Sequence, residues 1–177
     1  MLLDTKSEFI LNELYPPFAL KLRLLIQAMK DKHNLSMRLT SGVRSFQAQG
    51  ELYAQGRSKP GKIVTNAKPG MSLHNYGLAA DLCFKGNDPF LEQLSKTERV
   101  AAGMYHRAWM LLAVEADLLG LNPGIKWKDA PHVEWYYIVS KLYDLKVHDI
   151  MPMEEIWAYL DAQIPSKIAA ARANPIT

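Results

Sequence analysis

The stretch that decides the fold is SLHNYGLAADLCF, residues 72–84. Its second part, residues 78–84, is short and apolar and contains one carboxylate, which is typical of a buried strand. In such a strand Asp81 and Cys83 lie on one face, and the apolar residues that alternate with them lie on the other. An isolated buried charge is very costly, so Asp81 must be either paired in a salt bridge or bound to a metal ion.

The residues before this strand predict two helices and two short strands. Apolar residues at helical spacing predict a helix over residues 16–34, opened by prolines and ended by an asparagine. Weak alternation predicts a strand at 36–40, and Ser45 is suited to cap a second helix. The Gly-, Pro- and Lys-rich residues 57–70 indicate an exposed loop with a short strand at 63–65.

The residues after it predict two further helices and a second buried strand. Ser95 and Glu98 have the spacing of a capping box, and the helix that follows them ends at Gly120. The segment HVEWYYIV, residues 132–139, is typical of a buried strand, and a last helix is predicted near residues 153–163. LNPGIKWKDAP, between these elements, reads as a loop.

Length and composition are those of one ordinary globular domain. The chain has 177 residues, of which 49% are hydrophobic and 22% are charged, and this excludes disordered and fibrous proteins. We predict an α+β fold in which a small antiparallel sheet is flanked by helices. The single domain covers residues 1–177, with a core over about 15–140 and a helical extension over about 150–177.

Charge, cysteine content and hydropathy exclude several classes of protein. The net charge of +3 is not concentrated in a basic stripe, so we expect no nucleic-acid partner. Cys83 is the one cysteine, which excludes an internal disulfide and a zinc site built from several thiolates. No run approaches the ~20 apolar residues that cross a bilayer, and MLLDTKSEF shows no secretory signal. We therefore expect a protein that stays in the cytoplasm until it is released.

Two of the five histidines have neighbours that suggest metal binding. His74 precedes Asp81 by seven residues, and His132 opens the second strand directly after Pro131. Two histidines and a carboxylate from two strands form a three-ligand catalytic zinc site with a fourth position for water. Asp129, three residues before His132, is the natural general base beside the metal.

Other residues compete for these roles. Glu134 shares a strand face with His132, so it could be the base or a ligand, and Cys83 could ligate zinc or fill the core. The guanidinium of Arg44 could bind a substrate carboxylate or the oxyanion of an amide under attack, or it could pair with Asp81. The residues alone leave these alternatives open.

Three stretches together resemble the D-alanyl-D-alanine carboxypeptidase / L-alanyl-D-glutamate peptidase superfamily of zinc peptidases. They are SGVRSFQAQGELYAQGR (41–57), KIVTNAKPGMSLHNYGLAAD (62–81) and DAPH (129–132), and the likeness covers roughly residues 15–137. The chain is most similar to the L-alanyl-D-glutamate branch, which includes phage endolysins.

The resemblance implies a role for each residue of the candidate site. It implies one zinc ion bound by His74, Asp81 and His132, with Asp129 as general base and Arg44 stabilising the transition state.

The resemblance also suggests residues that contact the substrate. Ser72 and Gln49 match family positions near the site. Trp127 is the one equivalent of an aromatic stretch that family members carry before the DxxH element.

The implied activity is hydrolysis of an amide bond in the peptide stem of peptidoglycan. Single-domain size and the lack of a visible secretory signal further predict a phage or prophage endolysin, which we expect to be a monomer. The L-alanyl–D-glutamate bond is the first expectation. A D-alanyl-D-alanine carboxypeptidase and a zinc-containing wall-binding domain without activity are the alternatives.

Overall fold

The computed structural model describes residues 3–84, 104–135 and 152–162, which form five α-helices and a four-stranded sheet. The helices are α1 (Thr5–Glu13), α2 (Pro16–His33), α3 (Phe46–Ala54), α4 (Met104–Leu118) and α5 (153–162). The strands are β1 (Met37–Ser41), β2 (Ala79–Phe84), β3 (Asn122–Pro123) and β4 (His132–Glu134). Two 3₁₀ helices complete the set: Leu73–Tyr76, which we call the His74 turn, and Gly124–Trp127. The predicted α+β fold is confirmed.

The sheet is antiparallel throughout and has the strand order β1-β2-β4-β3. The register places Asp81 of β2 directly opposite His132 of β4 and also opposite Ser41, next to an irregularity in β1. Residues directly opposite in an antiparallel pair have adjacent side chains. The pairing of β2 with β4 therefore brings two of the candidate metal ligands together.

Helix α2 supplies the central layer of the core, as its periodicity predicts. It begins with prolines in its first turn, and it ends at Asn34, which caps the helix in the left-handed conformation. The residues at helical spacing are all buried: Leu22, Leu25, Ile26 and Met29.

Helix α1 was not predicted from the sequence. The Asp4 side chain caps it by accepting a hydrogen bond from the Ser7 amide, and the Ser7 hydroxyl accepts one from the Leu39 amide of β1. A helix this short buries few residues, so its periodic signal is weak; Asp4 was the available sign.

The strand predicted at 63–65 is wrong. Ile63 and Val64 are exposed and belong to no strand. This loop is instead tied to α3 by Arg57, which donates hydrogen bonds to the carbonyls of Tyr53 and Thr65. The predicted Ser95 and Glu98 capping box lies outside the described residues.

The remaining predicted elements are found with small changes. Ser45 caps α3 through a hydrogen bond from the Ala48 amide, as expected. Strand β4 ends at Glu134, and residues 136–139 of the predicted strand lie outside the described residues. The predicted loop at residues 121–131 contains the short strand β3 and the second 3₁₀ helix.

Helix α5 packs on the same core as α2. Ile156 and Leu160 are buried and belong to the main hydrophobic cluster. Within the described parts of the chain, every helix is too short or too polar to cross a bilayer.

Helices α2 and α4 are joined by a buried acid, and this generates a stability prediction. Glu115 accepts hydrogen bonds from Lys32 at 2.7 Å and His33 at 3.0 Å, and these contacts hold its pKa below the ordinary value. We expect Glu115→Gln to lower the free energy of unfolding by about 1–3 kcal/mol at pH 7, because buried charge-assisted bonds are lost.

The pH dependence and a control follow from the same contacts. The pKa of Glu115 is lower in the folded protein than in the unfolded chain, so its ionised form stabilises the fold when the pH is above the unfolded-state pKa. This stabilisation is lost as the pH falls through the folded-state pKa. The difference in unfolding free energy between wild type and Glu115→Gln, measured by urea unfolding, should therefore disappear in acid. Asp117→Asn, in an exposed pair with Lys126, should cost about 0.5 kcal/mol or less. Equal losses in both variants would contradict the prediction.

Candidate metal centre

Three side chains from three elements converge on one point. His74 comes from the His74 turn, Asp81 from β2 and His132 from β4, and their potential ligand atoms all lie within 4.8 Å of one another. Asp81 Oδ1 lies 3.6 Å from His74 Nε2 and 3.3 Å from His132 Nδ1. Two imidazoles and one carboxylate with a position left open are the donor set of a catalytic zinc site. No other such group occurs among the residues that the structure describes.

The local backbone explains how His74 reaches the sheet. Gly77 ends the His74 turn at φ +67°, a conformation that favours glycine, and the chain then enters β2. On the other side, the Arg44 amide donates to the His74 carbonyl at 2.9 Å, and the Asn75 side chain donates to the Arg44 carbonyl. The turn is thus fixed against the loop that follows β1.

In each histidine the ring nitrogen that points away from Asp81, which we call the outer nitrogen, makes a hydrogen bond. These bonds determine which nitrogen is available to a metal ion. His74 Nδ1 donates to the Gly42 carbonyl at 2.7 Å, which leaves Nε2 without a proton and free to bind a metal. His132 Nε2 donates to Glu134 Oε2 at 3.1 Å, so in this ring Nδ1 is the ligand atom. The two histidines therefore present different nitrogens to the same ion.

The charges of the site favour an ionised Asp81. Burial alone would raise the pKa of Asp81, but the neighbouring imidazoles of His132 and His74 hold it below its ordinary value. Burial would lower the pKa of His132, but Asp81 and Glu134 raise it to about 9. A divalent cation bound between these groups would displace the proton that His132 Nδ1 carries towards Asp81.

Arg44 lies beside the centre and is oriented mainly by Gln49. Its Nη1 donates to Gln49 Oε1 at 2.9 Å, whereas its Nη2 lies 3.9 Å from Asp81 Oδ2. The contact with Asp81 is too long for a hydrogen bond, so it leaves Nη2 able to donate to another group. Gln49 is fully buried and donates to the Ala67 carbonyl at 2.8 Å.

The centre opens into a cavity of about 770 Å³. Asp129, Ser72 and Trp127 all line it, together with Arg44. Asp129 is exposed, and its carboxylate makes no hydrogen bond or ion pair with the described residues. Trp127 is 45% exposed, with its ring centre 5.8 Å from that of His132. The Ser72 hydroxyl does not cap the His74 turn.

The two competing ligands predicted from the sequence lie outside the cluster. Glu134 contacts the outer nitrogen of His132, and its second oxygen accepts from Asn122 Nδ2 at 3.1 Å. Cys83 is next to Arg38, whose Nε lies 3.0 Å from its sulfur. Alternation along β4 had placed Glu134 on the face of His132, and this signal could have identified their hydrogen bond.

Gly124 is a structural requirement of the site that sequence reasoning missed. A Cβ at this glycine would lie 2.2 Å from the Asp129 carbonyl and 2.7 Å from the His132 Cβ. The Gly124 carbonyl accepts from the Asp129 amide, and the Asp129 carbonyl accepts from the His132 amide. Gly124 thus allows the DxxH segment to fold back on the second 3₁₀ helix.

Comparison with known proteins confirms the resemblance identified from the motifs. The family model of VanY, D-alanyl-D-alanine carboxypeptidase, matches residues 12–111, more than half of the chain. Peptidoglycan L-alanyl-D-glutamate endopeptidase CwlK of Bacillus subtilis (strain 168) is 37% identical over 112 residues, 62% of this chain and 66% of that protein. The match thus spans just under two thirds of this curated relative.

Two solved structures of peptidases align with this chain at low TM-scores. The LD-carboxypeptidase LdcB aligns with a TM-score of 0.47 at 21% identity, over 80% of this chain and 74% of that one. The vancomycin resistance D,D-pentapeptidase VanY, in complex with Zn(II), aligns with a TM-score of 0.44 at 17% identity, over 78% and 80%. The family is shown by the sequence match alone.

The contact between Glu134 and His132 leads to a prediction about metal affinity. We expect Glu134→Ala to weaken zinc binding by about 10- to 100-fold, because His132 loses the partner that fixes its ring and proton. Glu134→Gln keeps an acceptor and should weaken binding less. Competition with a chromophoric chelator measures both.

The matched control is Asp129→Asn, which changes an acid of the same cavity whose carboxylate has no described contact with a metal ligand. Its zinc affinity should equal that of wild type. An unchanged affinity in Glu134→Ala would show that His132 needs no carboxylate to bind the metal.

Proposed function

Because this chain belongs to the VanY family of D-alanyl-D-alanine carboxypeptidases, we propose that it is a zinc peptidase that hydrolyses an amide in the peptide stem of peptidoglycan. The observation that carries the proposal is the convergence of His74, Asp81 and His132 in a cavity that also holds the carboxylate of Asp129, which has no partner among the described residues. The same cavity contains Arg44, a cation that can stabilise the oxyanion that develops during amide hydrolysis.

In this proposal Asp129 is the general base and then the general acid. A zinc ion at the three ligands would act as a Lewis acid and lower the pKa of a water molecule to about 7. Asp129 accepts the proton of the attacking water and returns it to the leaving amine. Its exposure and its lack of partners among the described residues leave the carboxylate free to do both.

Arg44 stabilises negative charge on the substrate side of the centre. Gln49 holds one edge of the guanidinium, and the other edge remains beside Asp81 and the cavity. The Nη2 edge, which also makes a long hydrogen bond of 3.5 Å to the Ser41 hydroxyl, can donate to the oxyanion that forms at the attacked carbonyl or to a stem carboxylate. Gln49 then acts through Arg44, while Ser72 and Trp127 line the space for the substrate.

We propose the L-alanyl–D-glutamate bond as the scissile bond. The support is the 37% identity with CwlK, which is an L-alanyl-D-glutamate endopeptidase. The description of the VanY family supports the D-alanyl-D-alanine bond as the second candidate. We further propose that it is a phage or prophage endolysin, a role that the motif resemblance supports. We also propose that it is a monomer and that it is held in the cytoplasm until it reaches the wall.

Digestion of purified peptidoglycan tests the proposal and distinguishes the bonds. Mass spectrometry should find a new amino terminus at D-glutamate, and a zinc chelator should abolish it. Release of free D-alanine would instead identify a carboxypeptidase. Zinc binding and wall binding without any cleavage would overturn the peptidase proposal in favour of a binding domain.

The role of Asp129 is tested by Asp129→Asn. We expect the variant to fold and to keep its zinc, but to lose about 10²- to 10⁴-fold in turnover, because general acid–base catalysis contributes that much. Turnover on peptidoglycan and zinc content by atomic absorption are the measurements. Substantial remaining activity would move the base role to another residue, first to Glu134.

The role of Arg44 is tested by Arg44→Ala with zinc content as an internal control. Loss of one oxyanion donor should lower kcat by about 10²- to 10³-fold and leave the zinc in place. Arg38→Ala is the comparison, since that arginine lies beside Cys83 rather than in the cavity. An unchanged rate in Arg44→Ala would make Arg44 a structural residue.

A further inference from the structure

Helix α5 contacts the turn that carries one of the metal ligands. The indole Nε1 of Trp157 donates a hydrogen bond of 2.8 Å to the carbonyl of Tyr76, the last residue of the His74 turn. The family match ends at residue 111, so this helix lies outside it. The contact joins a distant part of the chain to the backbone two residues after His74.

The neighbouring carbonyls of the turn are each held by a different segment. The His74 carbonyl accepts from the Arg44 amide at 2.9 Å, and the Gly77 carbonyl accepts from the Tyr15 amide at 3.0 Å. Trp157 holds the Tyr76 carbonyl, which lies between these two. Among these three carbonyl contacts, only that of Trp157 is made through a side chain. The turn's own side chains add further hydrogen bonds, from Asn75 to the Arg44 carbonyl and from the Tyr76 hydroxyl to the Gly70 carbonyl.

Packing leaves the indole little freedom. Its ring centre lies 5.5 Å from that of Tyr15, and a Cβ at Gly77 would lie 3.1 Å from its Cζ2. The Tyr15 hydroxyl donates to Asp161 at 2.6 Å, one turn further along α5. Ile156 is buried in the core directly beside Trp157. Trp157 is therefore fixed both to the core and to the turn.

We propose that Trp157 is a positioning residue of the metal centre, and this inference rests on the proposed zinc function. Its hydrogen bond holds the His74 turn in the orientation that directs Nε2 of His74 at Asp81 while Nδ1 stays on the Gly42 carbonyl. Without it, the folded protein populates orientations of the turn that do not bind zinc. Fractional loss of the competent state lowers the apparent affinity by that fraction.

Zinc affinity separates this role from general support of the fold. A residue that only stabilises the fold changes the unfolding of the metal-free protein, but it leaves the dissociation constant of the folded protein unchanged. A positioning residue changes the dissociation constant itself. Both quantities are therefore measured on the full chain, by thermal unfolding without metal and by chelator competition for Zn²⁺.

The test variant is Trp157→Phe, which keeps an aromatic ring and removes the N–H donor. We expect zinc binding to weaken by about threefold to tenfold, which is the range for one hydrogen bond. Tyr159→Phe is the matched control, because it also leaves a phenylalanine in α5 and changes a side chain without a described contact to the turn. Tyr15→Phe removes the bond to Asp161 and should weaken zinc binding in the same direction.

The outcomes distinguish the two proposals. Weaker zinc binding in Trp157→Phe and Tyr15→Phe, with Tyr159→Phe at the wild-type value, supports the positioning role. Wild-type affinity in both variants, even with a lower unfolding temperature, overturns it and leaves the peptidase proposal intact. A wild-type protein that binds no Zn²⁺ overturns the proposed function and the positioning role together.

Discussion

The carboxylate of Asp81 lies between two imidazoles, and the rest of the site is arranged around this juxtaposition. A charge inside an apolar strand is tolerated only with partners, and the register of β2 against β4 supplies one by setting His132 directly opposite. A slip of one residue in that pairing would place Asp81 and His132 on opposite faces of the sheet. The sheet is small, but its register is therefore fixed by charge as well as by hydrophobic burial.

The remaining ligand depends on backbone contacts rather than on the sheet. His74 comes from a short 3₁₀ helix, and short helices of this kind have little stability of their own. Contacts from the loop after β1, from the start of α2 and from α5 hold it in place. The outer hydrogen bonds to Gly42 and Glu134 then fix both rings. Segments distant in sequence thus cooperate to hold one histidine.

The features that were predicted from the sequence are those with a local signal. The apolar face of α2, the Ser45 cap and the single carboxylate in β2 all follow from spacing and burial rules, and the structure confirms them. The structure also brings together the three candidate ligands that the sequence singled out. The residues that hold these ligands in place could not be predicted in the same way, because a hydrogen bond such as that from Trp157 to Tyr76 joins residues 81 positions apart. The failure at 63–65 has the opposite cause, since β-branched residues there suggest a strand but find no neighbour to pair with.

The use of a different nitrogen by each histidine has a consequence for how this centre can change during evolution. The Nδ1 atom of His132 is as many bonds from the backbone as an aspartate oxygen, whereas the Nε2 atom of His74 is as far as a glutamate oxygen. Replacement of His132 by aspartate thus keeps the number of bonds between the backbone and the ligand atom. At position 74 the same holds for replacement by glutamate. Exchange of ligand types between the two positions is therefore not symmetric.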